Sequence, residues 1–324
     1  MEKDFLAVLF PGQGSQTPGM GRDFYENSEI AREIFEIVKE ATGITVASLC
    51  FQSDEEKLRE TQNAQIALFT TSVATYKTWE EAQKERKQIF APICMAGHSV
   101  GEFSALTCAG YLSIEDGARL VQKRGDLMAR AGALRVGAMA AVIGLPDDAV
   151  EKVCQRISVP GREVVPANYN CPGQVVISGD RPAVVEAMDK LIELGGRCVP
   201  LNVSGAFHSP LMKEAQEAFR TALEGVHFLK PHREIPVVSN VTATPVDDPE
   251  AWKELLEQQL VSPVLWAESM RTMERMGAEI FIECGPGKVL CGLLRRTLSS
   301  AKCFSLSKYE DIQNTLNAIS EVRN

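Results

Sequence analysis

A serine flanked by two glycines constrains the fold of this chain more than any other feature. The pentapeptide is Gly97-His98-Ser99-Val100-Gly101, and it follows a short, mostly apolar run at 91–96. The small and apolar residues that come next predict a packed helix from 100 to 109, which Gly110 ends. A strand, a tight turn and a helix in this order predict a parallel α/β sheet with the serine exposed at its edge.

The same pentapeptide has the Gly-x-Ser-x-Gly pattern of a nucleophile elbow. In such a turn the backbone N–H groups that open the helix can stabilise charge on an attacked carbonyl oxygen. The pattern also occurs in ordinary turns, so a structural turn is the alternative. The strand and helix around it favour a nucleophilic Ser99 and acyl chemistry.

Strands and helices alternate along the 324 residues, which predicts the α/β class. One region differs: its elements follow in the order strand, helix, strand, strand, helix, strand, which is typical of a ferredoxin-like α+β unit. We therefore predict a hydrolase-like catalytic subdomain with a parallel sheet core, formed by residues 1–136 and 204–324. Residues 137–203 form the inserted ferredoxin-like small subdomain.

The composition excludes several classes of function. A net charge of −9 argues against general nucleic-acid binding, which depends on a basic surface. No apolar run is long enough to span a bilayer, and the first ten residues lack the pattern of a secretory signal. We expect a cytoplasmic, soluble monomer that acts without a membrane or nucleic-acid partner.

The nine cysteines are scattered, and no two of them form a C-x-x-C pair. This pattern fits reduced thiols better than a disulfide framework or a zinc site. We accordingly predict no metal site and no cofactor.

A nucleophilic serine needs a base, and the chain has four histidines. His98 adjoins Ser99, so we expect its side chain to point away from the hydroxyl, although it could line the cleft. His227 and His232 lie in a polar connection that is typical of a surface. His208 lies in a glycine-containing loop between a strand and a helix, where active-site groups are commonly presented, and a structural histidine is the alternative.

Another glycine-containing loop, 10–16, leaves the first strand without matching a dinucleotide fingerprint or a Walker A loop. We predict that it donates the backbone N–H of Gln13 to an oxyanion hole, with the N–H of Val100 as the second donor. A tight turn is the alternative. For the similar loop 284–288, a structural turn and a binding role both remain open.

Several ordered motifs, spread over nearly the whole chain, match one known family. They are 10–16, 97–103, 122–125 with Met128, 168–176, 205–209, 259–266 and 283–290. With these motifs the chain resembles the acyltransferases of fatty acid and polyketide synthesis that transfer malonyl groups from malonyl-CoA to acyl carrier protein.

The resemblance implies a ping-pong reaction for fatty acid biosynthesis. Ser99, activated by His208, would take the malonyl group as an ester and pass it to the phosphopantetheine thiol of the carrier protein. The backbone carbonyl of Gln259 would orient His208 in place of a carboxylate. Arg124 would bind the free malonyl carboxylate, although its pattern alone indicates a solvated helix face.

The resemblance also implies that Phe207 favours malonyl over methylmalonyl groups, with a packed aromatic side chain as the alternative. Met128, His98 and Asn168 complete the predicted substrate-binding set. Partner docking is predicted at a basic patch, with a solvated helix face as the alternative: Lys288, Arg295 and Arg296.

Two other functions share part of this pattern. A serine hydrolase or thioesterase would have the same elbow and histidine, and a noncatalytic subunit could dock the carrier protein. An arginine that fixes the substrate, and a site that holds the ester away from water, favour the transferase over the hydrolase. The intact set of serine, histidine and arginine argues against the noncatalytic subunit.

Overall fold

Two β-sheets organise residues 5–323, which are the residues described by the computed structural model. Residues 1–4, part of the segment that argued against a secretory signal, lie outside this range. The strands are β1 (Leu6–Phe10), β2 (Pro92–Gly97), β3 (Gly137–Ile143), β4 (Val164–Cys171), β5 (Gln174–Asp180), β6 (Arg197–Pro200), β7 (Val237–Val238), β8 (Pro245–Val246), β9 (Ile280–Cys284) and β10 (Lys302–Leu306).

Helices cover both sheets, and a short 3₁₀ helix at Pro210–Met212 precedes one of them. The α-helices are α1 (Arg22–Asn27), α2 (Glu29–Thr42), α3 (Val46–Gln52), α4 (Glu55–Arg59), α5 (Thr61–Arg86), α6 (Gly101–Ala109), α7 (Ile114–Leu134), α8 (Asp147–Ile157), α9 (Arg181–Glu193), α10 (Lys213–Glu224), α11 (Ala251–Gln259), α12 (Trp266–Arg275), α13 (Val289–Thr297) and α14 (Tyr309–Arg323).

The larger sheet has the strand order β10-β9-β1-β2-β7-β8, and all neighbours except β7 and β8 are parallel. All five residues of β1 are buried and apolar, as expected for a central strand covered on both faces. Its register pairs Phe10 with Gly97, so the loops after β1 and β2 leave the sheet side by side. Ligands of such sheets bind beyond the carboxyl ends of the strands, and this edge carries the site.

The smaller sheet is antiparallel, with the order β4-β5-β3-β6. Helices α8 and α9 pack on it around their own apolar core. The predicted α/β class with an inserted ferredoxin-like unit is confirmed. All four strands lie within 137–200, and the exact subdomain limits stay a prediction.

The two sheets meet through backbone hydrogen bonds from β4 to the larger part of the chain. The N–H of Tyr169 donates to the carbonyl of Val264, and the N–H of Val264 donates to the carbonyl of Ala167, each at 2.9 Å. The small sheet is thereby fixed beside the carboxyl edge of the large one.

The local structure differs in places from what the sequence patterns indicate. The largely apolar run 235–241 suggests a strand of seven residues, but the strand covers only Val237–Val238 and a turn begins at Asn240. The sequence patterns also missed helices α1 and α3.

The prediction of reduced thiols throughout is wrong, since Cys291 and Cys303 form a disulfide. Cys291 lies in the first turn of α13 and Cys303 lies on β10, with 5.4 Å between their Cα atoms. The seven other cysteines are free. The pairing depends on the docking of α13 against β10, and no cysteine spacing motif signals it.

Within residues 5–323, no helix combines the length and the apolar character that a membrane crossing requires.

Candidate active site

Ser99 lies in the turn between β2 and α6, with a positive φ of 52°. L-residues other than glycine rarely adopt this conformation, which costs about 1–3 kcal/mol and is concentrated at functional sites. The turn is also very tight: a Cβ at position 97 would lie 1.9 Å from the carbonyl carbon of Gly101. Only glycine fits at position 97, so the turn has the geometry of a nucleophile elbow.

His208 lies within hydrogen-bond distance of the serine. Its Nε2 is 2.8 Å from Ser99 Oγ, and its Nδ1 is 2.8 Å from the backbone carbonyl oxygen of Gln259. Because that carbonyl can only accept, Nδ1 carries the hydrogen and Nε2 is free to accept from the hydroxyl. His208 also has a positive φ, 56°, so both members of the pair have a strained backbone.

The protonation state of His208 suits a general base. Its side chain is buried, and burial, together with the nearby charge of Arg124, lowers its pKa to about 3. The imidazole is therefore neutral at neutral pH and can accept the proton of Ser99.

Arg124 on α7 is 1% exposed, so the solvated-face interpretation of this arginine is wrong. Its Nη2 donates to Ser99 Oγ at 3.0 Å and to Gln259 Oε1 at 2.9 Å, and its Nη1 donates to Gln65 Oε1 at 2.6 Å. The guanidinium carbon lies 5.7 Å from the ring centre of Phe103, a cation–π distance. Burial lowers the pKa of Arg124 to about 10, which still leaves the group charged at neutral pH.

Two buried residues that the sequence analysis did not select hold the elbow. Asn240, just after β7, accepts from the N–H of Ser99 and donates to the carbonyl of Gly97, both at 2.7 Å. Glu102 in α6 accepts from the N–H of Asn240 at 2.6 Å. Two polar residues after an apolar strand, Ser239 and Asn240, were the available signal for Asn240. The partners of Glu102 are fixed only by tertiary packing.

The two predicted oxyanion donors belong to adjacent loops. The N–H of His98 donates to the carbonyl of Phe10 at 3.0 Å, which ties the elbow to the loop of Gln13. Within residues 5–323, the N–H groups of Gln13 and Val100 donate to no other group. The second of these opens helix α6, where N–H groups are free to bind negative charge.

A cavity of about 420 Å³ opens above Ser99 and His208 between the two sheets. Gln13 lines it, and so do four of the predicted substrate-binding residues: Met128, Phe207, His98 and Asn168. Three predicted site residues are not part of the lining: Arg124, Gln259 and Val100. Arg59 and Glu55 from α4, which the sequence analysis did not select, also line the cavity and form an ion pair.

His98 has contacts of its own, away from the serine hydroxyl. Its Nε2 is 2.9 Å from Asn170 Oδ1, and its ring packs edge-on against Trp266 at 5.4 Å. Both contacts agree with a side chain that points away from the nucleophile and lines the cleft.

The predicted docking patch on and beside α13 is exposed but lies outside the cavity lining. Arg296 donates to Gln174 Oε1 at 2.5 Å, while Lys288 and Arg295 are exposed. Among the described residues, no cluster of three or more His, Cys, Asp or Glu side chains could hold a metal ion.

Comparison with known families gives one match over most of the chain. Residues 8–317 match the acyl transferase domain family. The malonyl CoA-acyl carrier protein transacylase of Bacillus subtilis (strain 168) is 40% identical over 317 residues, which cover 98% of each protein. The protein of the same name from Staphylococcus aureus (strain MRSA252) is 40% identical over 95% of this chain and 97% of its own length.

Solved structures agree with these relatives. The malonyl-CoA:acyl carrier protein transacylase of Xanthomonas oryzae pv. oryzae superposes with a TM-score of 0.91 at 40% identity, covering 98% of this chain and 99% of the other. A malonyl-transacylase in complex with its holo type II PKS acyl-carrier protein gives a TM-score of 0.90 at 36% identity, covering 97% and 99%.

Proposed function

The chain belongs to the acyl transferase family and transfers malonyl groups from malonyl-CoA to acyl carrier protein in fatty acid biosynthesis, and we propose that it does so through an ester on Ser99. The observation that carries the proposal is the continuous chain of hydrogen bonds from Ser99 through His208 to the carbonyl of Gln259. This dyad needs no carboxylate.

In the first half-reaction, His208 Nε2 takes the proton of Ser99 as Oγ bonds to the thioester carbon. The N–H groups of Gln13 and Val100 hold the negative oxygen of the tetrahedral intermediate. The C–S bond then breaks, the proton on His208 passes to the departing sulfur, and CoA leaves as a thiol. The second half-reaction runs in reverse with the phosphopantetheine thiol as nucleophile.

Arg124 makes the site selective for an acyl group that carries a free carboxylate. Its guanidinium contacts Ser99 Oγ, so the free carboxylate of a malonyl group esterified there lies within reach of a bidentate pair. An acetyl group has no carboxylate and gains nothing from this contact.

Other residues of the cavity wall contribute to the selectivity for the malonyl group. Phe207 is buried and lines the cavity beside His208, where it narrows the room for an α-methyl group. Met128 and Asn168 line the same cavity, and His98, held by Asn170, completes its wall beside the serine.

A serine hydrolase would share the dyad but has no need for a buried guanidinium 3.0 Å from the nucleophile. The test is mass spectrometry of the intact protein after mixing with malonyl-CoA. We expect a malonyl adduct on Ser99 that carrier protein discharges quickly and water discharges slowly. An adduct that water removes as fast as carrier protein does would make the chain a hydrolase.

One chain provides the whole site, since the dyad, its carbonyl and the arginine all come from residues 99–259, and this supports a monomer as the working unit. We also propose that the reaction takes place in the cytoplasm, because it releases one free thiol and consumes another, and a reducing compartment keeps both thiols free. Docking of the acidic carrier protein is assigned to the patch of Lys288, Arg295 and Arg296, which is exposed.

A further inference from the structure

Glu102 is a buried carboxylate beside the site that the mechanism above does not use. It lies in the first turn of α6, three residues after Ser99, with no exposed surface. Its oxygens accept from two distant parts of the chain: Oε1 from the N–H of Asn240 at 2.6 Å, and Oε2 from Nε2 of Gln259 at 2.5 Å. Burying a carboxylate is costly, and here both of its hydrogen-bond donors are neutral.

The bond to Gln259 determines which way its amide faces. The Nε2 group donates to Glu102 and also to the carbonyl oxygen of Ser99 at 3.1 Å. Both amide hydrogens are used, so Oε1 is left to accept from Arg124 at 2.9 Å. A reversed amide would direct its N–H groups at the guanidinium, which cannot accept a hydrogen bond.

The bond to Asn240 fixes the other side of the elbow. The Asn240 side chain accepts from the N–H of Ser99 and donates to the carbonyl of Gly97, so it closes the turn across both ends. Ser99 has a positive φ of 52°, a conformation that persists only where surrounding contacts hold it.

We propose that Glu102 is a positioning residue for acyl transfer, whose carboxylate holds Arg124 through Gln259 and holds the elbow of Ser99 through Asn240. It touches neither the substrate nor the reacting atoms. The inference rests on the proposed function, because Ser99 must be the acylated residue for its position to matter.

The electrostatic surroundings give this role a pH dependence. Burial raises the pKa of Glu102 to about 8, while the hydrogen bonds from Asn240 and Gln259 and the charge of Arg124 oppose that rise. Protonation places a hydrogen on one carboxylate oxygen and removes the negative charge, so the hydrogen bonds from Asn240 and Gln259 become weaker. Acylation of Ser99 should therefore rise with pH as Glu102 loses its proton.

Three other ionisable groups surround the elbow, and none of them accounts for a rise in that range. Arg124 on α7 stays charged, since its pKa is about 10. Burial lowers the pKa of His208, in the loop before the 3₁₀ helix, to about 3, and burial also lowers the pKa of His98.

Glu283 provides a matched control at the end of β9. It is also fully buried and also accepts two hydrogen bonds, from the N–H groups of Leu290 at 3.0 Å and Cys291 at 2.8 Å, and burial likewise raises its pKa. Its donors belong to α13 and not to the catalytic residues. Glu102→Gln and Glu283→Gln thus make the same chemical change in two buried carboxylates.

The experiment measures the rate of Ser99 acylation from pH 6 to pH 9 with malonyl-CoA and acetyl-CoA, beside thermal unfolding of each variant. We expect Glu283→Gln to keep the wild-type rates and pH profile. Glu102→Gln should lower acylation by about 10- to 100-fold with both thioesters, flatten the pH profile and narrow the preference for malonyl.

A second variant separates the two proposed effects of Glu102, on the elbow through Asn240 and on Arg124 through Gln259. Asn240→Ala removes the brace on the elbow but leaves Gln259 and Arg124 in contact, so it should slow both thioesters equally and keep the malonyl preference. If Glu102→Gln does not fold, the test rests on Asn240→Ala and on the pH profile of the wild-type protein. A wild-type acylation rate that does not change with pH contradicts the proposal.

The proposal is overturned if folded Glu102→Gln acylates as fast as Glu283→Gln or keeps the wild-type pH profile. A wild-type protein that forms no adduct at all would instead reject the proposed function. The two failures are therefore distinguishable in one set of measurements.

Discussion

Two strand-to-helix turns lie at the carboxyl edge of the large sheet, one between β2 and α6 and the other between β9 and α13. Each contains glycines, and each has a buried glutamate whose carboxylate accepts two N–H groups. They differ in the residue that carries the strained backbone. In the first turn Ser99 has the positive φ, 52°, whereas in the second two glycines have it, Gly285 at 138° and Gly287 at 82°.

This difference in backbone strain is what we expect between the turn that carries the proposed nucleophile and a purely structural turn. Gly285 adopts its conformation at no steric cost, and Glu283 only caps the helix that follows it. The positive φ of Ser99 is strained because the residue has a side chain, and Asn240, which follows a strand far along the sequence, holds the residue in place. Where a fold tolerates strain on a reactive side chain, contacts from several elements hold it.

The largest expected effect follows from removing the serine at the strained position. Ser99→Gly and Ser99→Ala should both form no malonyl adduct, because neither has a nucleophile. Glycine tolerates a positive φ, so Ser99→Gly should be about 1 kcal/mol more stable than Ser99→Ala in thermal unfolding. Equal stabilities would show that the elbow is not strained.

A smaller effect is expected from Arg124→Ala, which keeps the turn and removes the carboxylate partner. Malonylation should fall about 10- to 100-fold more than acetylation, since a charged hydrogen-bonded pair is lost. The measurement is kcat/KM with both thioesters, and Arg124→Lys is the matched control that retains the charge without the bidentate geometry. An unchanged ratio of the two rates would remove Arg124 from substrate binding.

The smallest effect on chemistry is expected at the structural turn. A Cβ at position 285 would lie 2.6 Å from Ser72 Oγ and 2.8 Å from Pro11 Cγ, so Gly285→Ala should destabilise the fold by about 1–3 kcal/mol. The acylation rate per folded molecule should stay close to that of the wild type. Lost activity with unchanged unfolding would mean that this turn also belongs to the active site.

The sequence predicts local features well, because the elbow, the first strand and the small α+β unit depend on residues that are close together in the chain. His208 can be selected only as a candidate from its loop, since nothing local shows which histidine approaches Ser99. The sequence does not reveal three buried residues of the site, because their hydrogen-bond partners lie 59 to 157 residues away in the chain: Asn240, Glu102 and Gln65.

The burial of Arg124 is a second feature that the local sequence does not reveal. Its helix carries several cations, and only the packing of other helices against α7, among them α2, α5, α6 and α10, determines which of them is enclosed. The family motif, and not the pattern of charges, indicated its role.

One functional group of the site belongs to the backbone and not to a side chain. The carbonyl of residue 259 orients His208 at 2.8 Å, and every amino acid supplies that oxygen. A point mutation can displace this group but cannot delete it, and an amide oxygen has no proton to gain or lose in the physiological range. The orienting element of the dyad is therefore protected from substitution and from changes in pH, which a carboxylate in its place would not be.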